Sequence, residues 1–154
     1  MNLPHIATAS GDGRDPTFLE SIGAATQSFD LVAVDAPCSG LGTLRRHPEL
    51  RYRAKSSVDE LVEIQCALLE SAASRVKAGG SLLYTVCTIT EKEIAEPIDY
   101  LMNRFDDFNI EDNTSNCPIE PDKRKSPAGH HYEQLWTDQH GCDSFSAVLF
   151  KRRK

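Results

Sequence analysis

A chain of 154 residues, 40% hydrophobic and 26% charged, has the size of one globular domain with a core of its own. Its formal net charge of -6 excludes the uniformly basic surface of many small nucleic-acid binders, so any contact with a polyanion must be local. Five cysteines (Cys38, Cys66, Cys87, Cys117 and Cys142) are odd in number and form no C-x-x-C pair, so reduced thiols are expected, with neither a disulfide framework nor a bound metal.

No apolar run approaches the roughly 18 to 20 residues of a membrane span, and the opening "MNLPHIATASGDGRDP" lacks the charged and apolar regions of a secretion signal. A cytoplasmic protein is expected. Along the chain, β-like and helix-like patterns alternate, which is the signature of an α/β fold. "FDLVAVDAP" (29–37) is a nearly continuous apolar run closed by Asp35 and Pro37, as in a central parallel strand covered on both faces. The loop "CSGLG" follows, and then a basic stretch in which Arg45, Arg46, His47, Arg51, Arg53 and Lys55 fall within eleven positions. Taken alone, such a stretch reads as a solvated loop, and "FKRRK" at 150–154 reads as a frayed chain end.

Ser57 with Glu60 forms a capping-box pattern, and Leu61, Ile64, Leu68, Leu69, Ala72 and Val76 then recur at helical spacing, with Gly79 and Gly80 as the stop. "SLLYTVCTI" (81–89) is a second buried-strand run. Strand, helix and strand make a βαβ unit, whose crossover should be right-handed and whose strands should be parallel. Cys38 follows the first strand and Cys87 closes the second, so both thiols fall at the carboxyl ends of the strands, where open α/β sheets bind ligands. Thr90 and Glu93 repeat the capping-box pattern ahead of Ile94, Ile98, Leu101 and Phe105, a helix that Pro97 should bend. Residues 106–132 read as a short strand "FNIED" and a long mobile loop, and "SFSAVLFKR" (144–152) as a last, antiparallel strand.

"DAPCSGLG" (35–42), "RRHPEL" (45–50) and "YTVCT" (84–88) together resemble the RNA (cytosine-5) methyltransferases of the Sun (Fmu) group, especially its ribosomal small-subunit enzymes. The likeness begins at "GDGRDP" (11–16), which resembles the adenine-side motif after the third strand, and ends at "HGCDSFSAVLFKR" (140–152), which resembles the closing strand. It implies a Rossmann-like class I methyltransferase sheet ordered 3-2-1-4-5-7-6 and mostly parallel, with one antiparallel C-terminal strand. By the same likeness residues 1–154 are part of that domain, from about the third strand onward. The first two strands, and the glycine-rich loop that cradles the methionine end of S-adenosylmethionine, have no counterpart here. The strand at 29–36 should then have an unpaired edge, covered by residues 1–20 or used in self-association, and the chain alone is expected to be inactive.

The resemblance also implies the chemistry. Cytosine C5 is too weak a nucleophile to take a methyl group until a thiolate adds to C6. By resemblance Cys87 is that nucleophile, and Cys38 assists release by helping to remove the C5 proton. Asp35 would hold the cytosine edge or the cofactor's amino group, Asp12 would contact the adenine, and Pro37 would stiffen the cofactor loop. Arg45, Arg46, His47, Arg51 and Arg53 would meet RNA phosphates.

Other readings stand beside this one. Each cysteine by itself reads as a small buried hydrophobe, and for Cys66, Cys117 and Cys142 that reading is kept. Asp12 is equally a turn residue. Asp35 could simply end a strand, but an acid after a buried apolar run is costly unless it has partners. A non-catalytic remnant that binds RNA or a partner would keep the same fold. A thiol hydrolase would need His47, His130, His131 or His140 beside one of the two thiols. The sequence departs from the family pattern at Val86, where Thr is usual, at Ile94, where Asn is usual, and at Ser144, where Gly is usual.

Overall fold

The computed structural model describes residues 7–24, 26, 29–52, 56–111 and 119–154; Arg53, Lys55 and Cys117 lie outside these. Six strands form one sheet: β1 (Phe29–Asp35), β2 (Val76–Val86), β3 (Phe108–Glu111), β4 (Asp122–Lys125), β5 (His131–Leu135) and β6 (Phe145–Arg152). They are ordered β1-β2-β6-β5-β4, and β3 also pairs with β6. The helices are α1 (Pro16–Ser21), α2 (Ser56–Ala73), α3 (Glu91–Arg104) and α4 (Thr137–His140).

The expected mostly parallel sheet is corrected to a mixed one. Only β1 and β2 pair in parallel, and β6 is antiparallel to β2, β3 and β5, as β4 is to β5. The first connection carries the long helix α2, which a parallel crossover requires, whereas the connections β4–β5 and β5–β6 are short. The expected βαβ unit and the antiparallel last strand are both present, with β6 lying inside the sheet.

β1 is not covered on both faces. Val32 and Val34 pack against the core, whereas Leu31 is 58% exposed and Ala33 and Asp35 face outward with it. Among the described residues no strand precedes β1, so the expected third strand is not among them, and β1 has only β2 as a partner. The described part of residues 1–20 gives this edge no strand pairing. Asp15 caps α1 by accepting from Thr17 N at 2.9 Å, and the segment leans on α2, where Ser71 Oγ donates to Gly13 O at 2.7 Å. A cavity of about 470 Å³ is left beside β1, with Leu19, Leu31, Leu68 and Asp35 among its walls.

Other boundaries move for local reasons. α2 starts one residue before Ser57 and ends at Ala73, not at the glycines, because Val76 enters β2 with Phe29 N donating to Arg75 O at 3.1 Å. Gly79 and Gly80 lie within β2, where the register jumps from Phe29–Val76 to Leu31–Ser81. Gly79 has φ +75°, and a Cβ on Gly80 would come within 2.8 Å of Val76 Cγ1. The most buried positions of α2 are Val62, Gln65, Leu69, Ala72 and Ala73, so Leu61, Ile64 and Leu68 flank the stripe.

A β4–β5 hairpin replaces much of the expected loop. "DKRK" gives no apolar alternation, so the hairpin is anchored from its partner strand by buried Tyr132 and Gln134, and from α3 by Asp99, which accepts from Ser126 Oγ and lies 2.8 Å from His130 Nδ1. The core lies between the sheet and α2 and α3, built on Leu69, Leu82, Tyr84, Ile98, Leu101 and Phe150. Val86 and Ile94 belong to it, both 1% exposed or less, so these two departures from the family pattern are core-filling apolar side chains.

Phe150 is fully buried, and its register partners are Leu82 on β2 and Ile110 on β3. Phe150→Ala is expected to lower unfolding free energy by about 3–5 kcal/mol, read from the urea midpoint. A loss below about 1 kcal/mol would contradict the central place of β6.

Candidate active site

Parallel pairing brings the two cysteine loops together. Asp35 stands opposite Thr85, and Ala36 N donates to Thr85 O at 3.0 Å, so both chains leave the sheet at one edge. Cys38 Sγ and Cys87 Sγ then lie 3.3 Å apart. Both residues are half-buried. The Cys38 thiol is pushed up to about 12, first by burial and then by its hydrogen bond with Cys87, so it keeps its proton throughout the neutral range.

Gly42 joins three segments at this point. Its N donates to Cys87 O at 3.0 Å and its O accepts from Ser144 N at 2.9 Å. A Cβ here would sit 2.2 Å from Ser144 O and 2.9 Å from Cys87 O, so no larger residue fits without moving backbone. Ser144, where the family pattern has Gly, is buried, with its Oγ accepting from Thr137 N at 3.1 Å.

Beneath the thiols, Glu93 is fully buried. Its Oε1 accepts from Ser39 N at 2.6 Å and Gln65 Nε2 at 3.3 Å, and its Oε2 from Thr88 Oγ1 at 2.8 Å and Thr90 Oγ1 at 2.5 Å. The expected capping box is therefore not formed. Thr90 occupies the N-cap without a side-chain cap, its N donates to Thr88 Oγ1 at 3.2 Å, and Glu93 turns inward.

The other predicted residues are distributed around this centre. Asp35 is solvent-facing, accepts from Thr85 Oγ1 at 3.2 Å and borders the cavity beside β1. The cost of burying an acid therefore does not apply to it. Pro37 is exposed, and its O accepts from Gln65 Nε2 at 2.9 Å. Gly13 lines the same cavity, but the carboxylate of neighbouring Asp12 is engaged by Arg14 Nε and Nη2 at 2.7–3.1 Å, which holds it down at about 2.

Arg45 and Arg46 are both more than half exposed and converge on Asp143. Arg46 Nε donates to Oδ2 at 2.6 Å, while Arg45 Nη2 is 3.5 Å from Oδ1, an ion pair without hydrogen-bond geometry; together they hold the Asp143 carboxyl low, Arg46 foremost. Exposed Arg51 donates to Pro48 O at 3.1 Å and lies over the Tyr52 ring. His47 Nδ1 is 3.2 Å from Glu49 Oε1. Ring nitrogens of His130 and His140 are engaged by Asp99, Trp136 and Glu120. Cys66 is half-buried, its thiol raised to about 11 by burial, and Cys142 is half-buried as well. The sequence reading missed Gln65, Ser39, Thr88 and the inward role of Glu93. The available signal was the run of hydroxyls at 88 and 90 ahead of an acid, directly after a cysteine.

The family profile described as 16S rRNA methyltransferase RsmB/F matches residues 1–151. The chain belongs to that family. It is 32% identical over 143 residues to ribosomal RNA small subunit methyltransferase B of Salmonella newport (strain SL254), a match covering 92% of this chain and 30% of the relative. The chain thus spans about a third of the length of such relatives. Among solved structures it resembles PH0851, with a TM-score of 0.75 and 32% identity over 87% of this chain and 28% of that one. It also shares a fold with NSun6 from Pyrococcus horikoshii, solved with SFG, with a TM-score of 0.71 and 21% identity over 95% of this chain and 34% of that one. No helix among the described residues is long and apolar enough to cross a membrane, and among those residues no His, Cys, Asp and Glu groups are clustered to hold a metal ion.

The coupling of the two thiols can be titrated. In Cys87→Ala the hydrogen bond and charge of Cys87 are gone while burial remains, so the alkylation midpoint of Cys38 should fall from about 12 but stay above 9. The rate of iodoacetamide labelling of Cys38 against pH, followed by mass spectrometry, measures this. An unmoved midpoint would show that the thiols are not in contact.

Proposed function

We propose that these residues form the cytosine-binding, thiol-bearing part of an S-adenosylmethionine-dependent RNA (cytosine-5) methyltransferase that acts on small-subunit ribosomal RNA in the cytoplasm. The observation that carries this reading is the contact of Cys38 and Cys87 at 3.3 Å, beside the solvent-facing carboxylate of Asp35. Family membership supports ribosomal RNA as the substrate.

In this reading the Cys87 thiolate adds to cytosine C6 and makes C5 enamine-like. S-adenosylmethionine, when bound, supplies the electrophilic methyl group. Asp35 hydrogen-bonds the cytosine edge as charge develops on the ring. C5 then carries both a methyl group and a proton; Cys38, once it has given its own proton to solvent, takes the C5 proton as a thiolate, the C5–C6 double bond re-forms, and Cys87 leaves as a thiolate.

The hydrogen bonding gives Cys38 a reason to change role during the cycle. Before addition it is the protonated partner of Cys87. Once the Cys87 sulfur is a thioether, the charge of Cys87 is gone and its hydrogen bond is weakened, while burial, the largest influence on Cys38, remains. Cys38 becomes easier to deprotonate at the step that needs a base.

The cavity beside β1 has apolar walls, with the Asp35 carboxylate at one end, a lining that suits a purine-bearing donor. Asp12 would serve its adenine only by leaving Arg14. Among the described residues no glycine-rich loop follows a strand to cradle the methionine end, and in this reading the 154 residues alone do not methylate. The edge of β1 that pairs with no described strand is where a further strand, of a second copy or of another polypeptide, would add. Arg45, Arg46, His47, Arg51 and Arg53 would contact RNA phosphates.

Addition to C6 needs no methyl donor, so it can be tested on the chain itself. With a small-subunit ribosomal RNA carrying 5-azacytidine, attack at C6 and protonation at N5 give a 5,6-dihydro adduct that breaks down only when the N5 proton is removed and the thiolate leaves, a step that is slower still without Cys38. A protein–RNA band that survives denaturing electrophoresis is expected for the native chain and for Cys38→Ala, and not for Cys87→Ser. An adduct that persists in Cys87→Ser, or none in the native chain, would overturn the assignment.

A further inference from the structure

Glu93 is the one acidic residue among the described residues that is fully buried, and the reaction above does not use it. Its four donors do not come from one element. Ser39 N belongs to the residue after Cys38, Thr88 Oγ1 to the residue after Cys87, Thr90 Oγ1 to the start of α3, and Gln65 Nε2 to α2. Ser39 Oγ and Thr88 Oγ1 are themselves 2.8 Å apart, and Tyr84 OH fixes the backbone by donating to Glu93 O at 2.8 Å.

We infer that Glu93 is a positioning residue that holds the Cys38 and Cys87 loops in register, so that the two thiols meet. The inference rests on the thiol chemistry proposed above, but the geometry it concerns can be measured without RNA. A carboxylate suits the position because both of its oxygens accept, and each receives two donors. Ser39 N is a backbone donor and cannot reverse, whereas the two threonine hydroxyls can donate or accept. Gln at position 93 can therefore keep its oxygen on Ser39 N and turn its amide toward Thr88 and Thr90. Ala leaves Ser39 N without an acceptor in a buried site, and leaves Thr88 and Thr90 only the weaker hydroxyl partners of Ser39 Oγ and each other, so the loops should move apart to recover water.

The test is the rate at which dibromobimane bridges Cys38 to Cys87, quantified as the bridged peptide by mass spectrometry, with folding checked by circular dichroism. Bridging requires both thiols within reach at once, whereas single alkylation does not. Relative to the native chain, Glu93→Ala should bridge about tenfold more slowly or worse, Glu93→Gln should stay within about threefold, and total single-site alkylation should not fall. Thr88→Val removes one arm of the network at nearly constant shape and serves if Glu93→Ala does not fold; it should bridge several-fold more slowly. A folded Glu93→Ala, or a folded Thr88→Val, that bridges at the native rate would overturn the inference. Slowed bridging in a chain whose native form gives no 5-azacytidine adduct would uphold the positioning role and sink the methyltransferase reading instead.

Discussion

The site depends on the parallel register of β1 against β2. With Asp35 opposite Thr85, the two chains leave the sheet side by side, and the cysteines, three residues on in one case and two in the other, come into van der Waals contact. An antiparallel pairing of the same strands would put them at opposite ends of the sheet. The parallel register needs a helix between the strands, and α2 supplies it while also sending Gln65 down to Pro37 O and Glu93. One helix thus fixes both the topology and the base of the two cysteine loops.

Around that contact the electrostatics are asymmetric. The floor is a buried acid satisfied by neutral donors, and the rim carries arginines partly neutralised by Asp143. Asp143 lies next to Ser144, whose backbone meets Gly42, so the basic loop after Cys38 and the segment before β6 are tied together by charge and by backbone hydrogen bonds. A polyanion reaching the rim would compete with Asp143 for Arg45 and Arg46.

Much of this was legible in the sequence. The βαβ unit, the two thiols at one sheet edge and the last antiparallel strand all follow from apolar periodicity and from where it breaks. The β4–β5 hairpin was not legible, because "DKRK" carries no alternation and the hairpin is anchored by side chains distant in sequence, such as Asp99. Glu93 was read as a helix cap because a Thr-x-x-Glu spacing is the same whether the acid turns back to its own N-terminus or inward to a neighbouring loop. Only the tertiary placement of Ser39 decides between the two. Gly79 and Gly80 resemble a helix stop in sequence because glycine punctuates helices and bulged strands alike.

The most direct measurement is a disulfide map after brief treatment of the native chain with diamide, which removes two hydrogens from a pair of adjacent thiols. Peptide mapping should show Cys38 joined to Cys87, with Cys66, Cys117 and Cys142 left as thiols. A preferred bond between any other pair, or no bond at all in a folded chain, would mean that the two cysteines do not share one site.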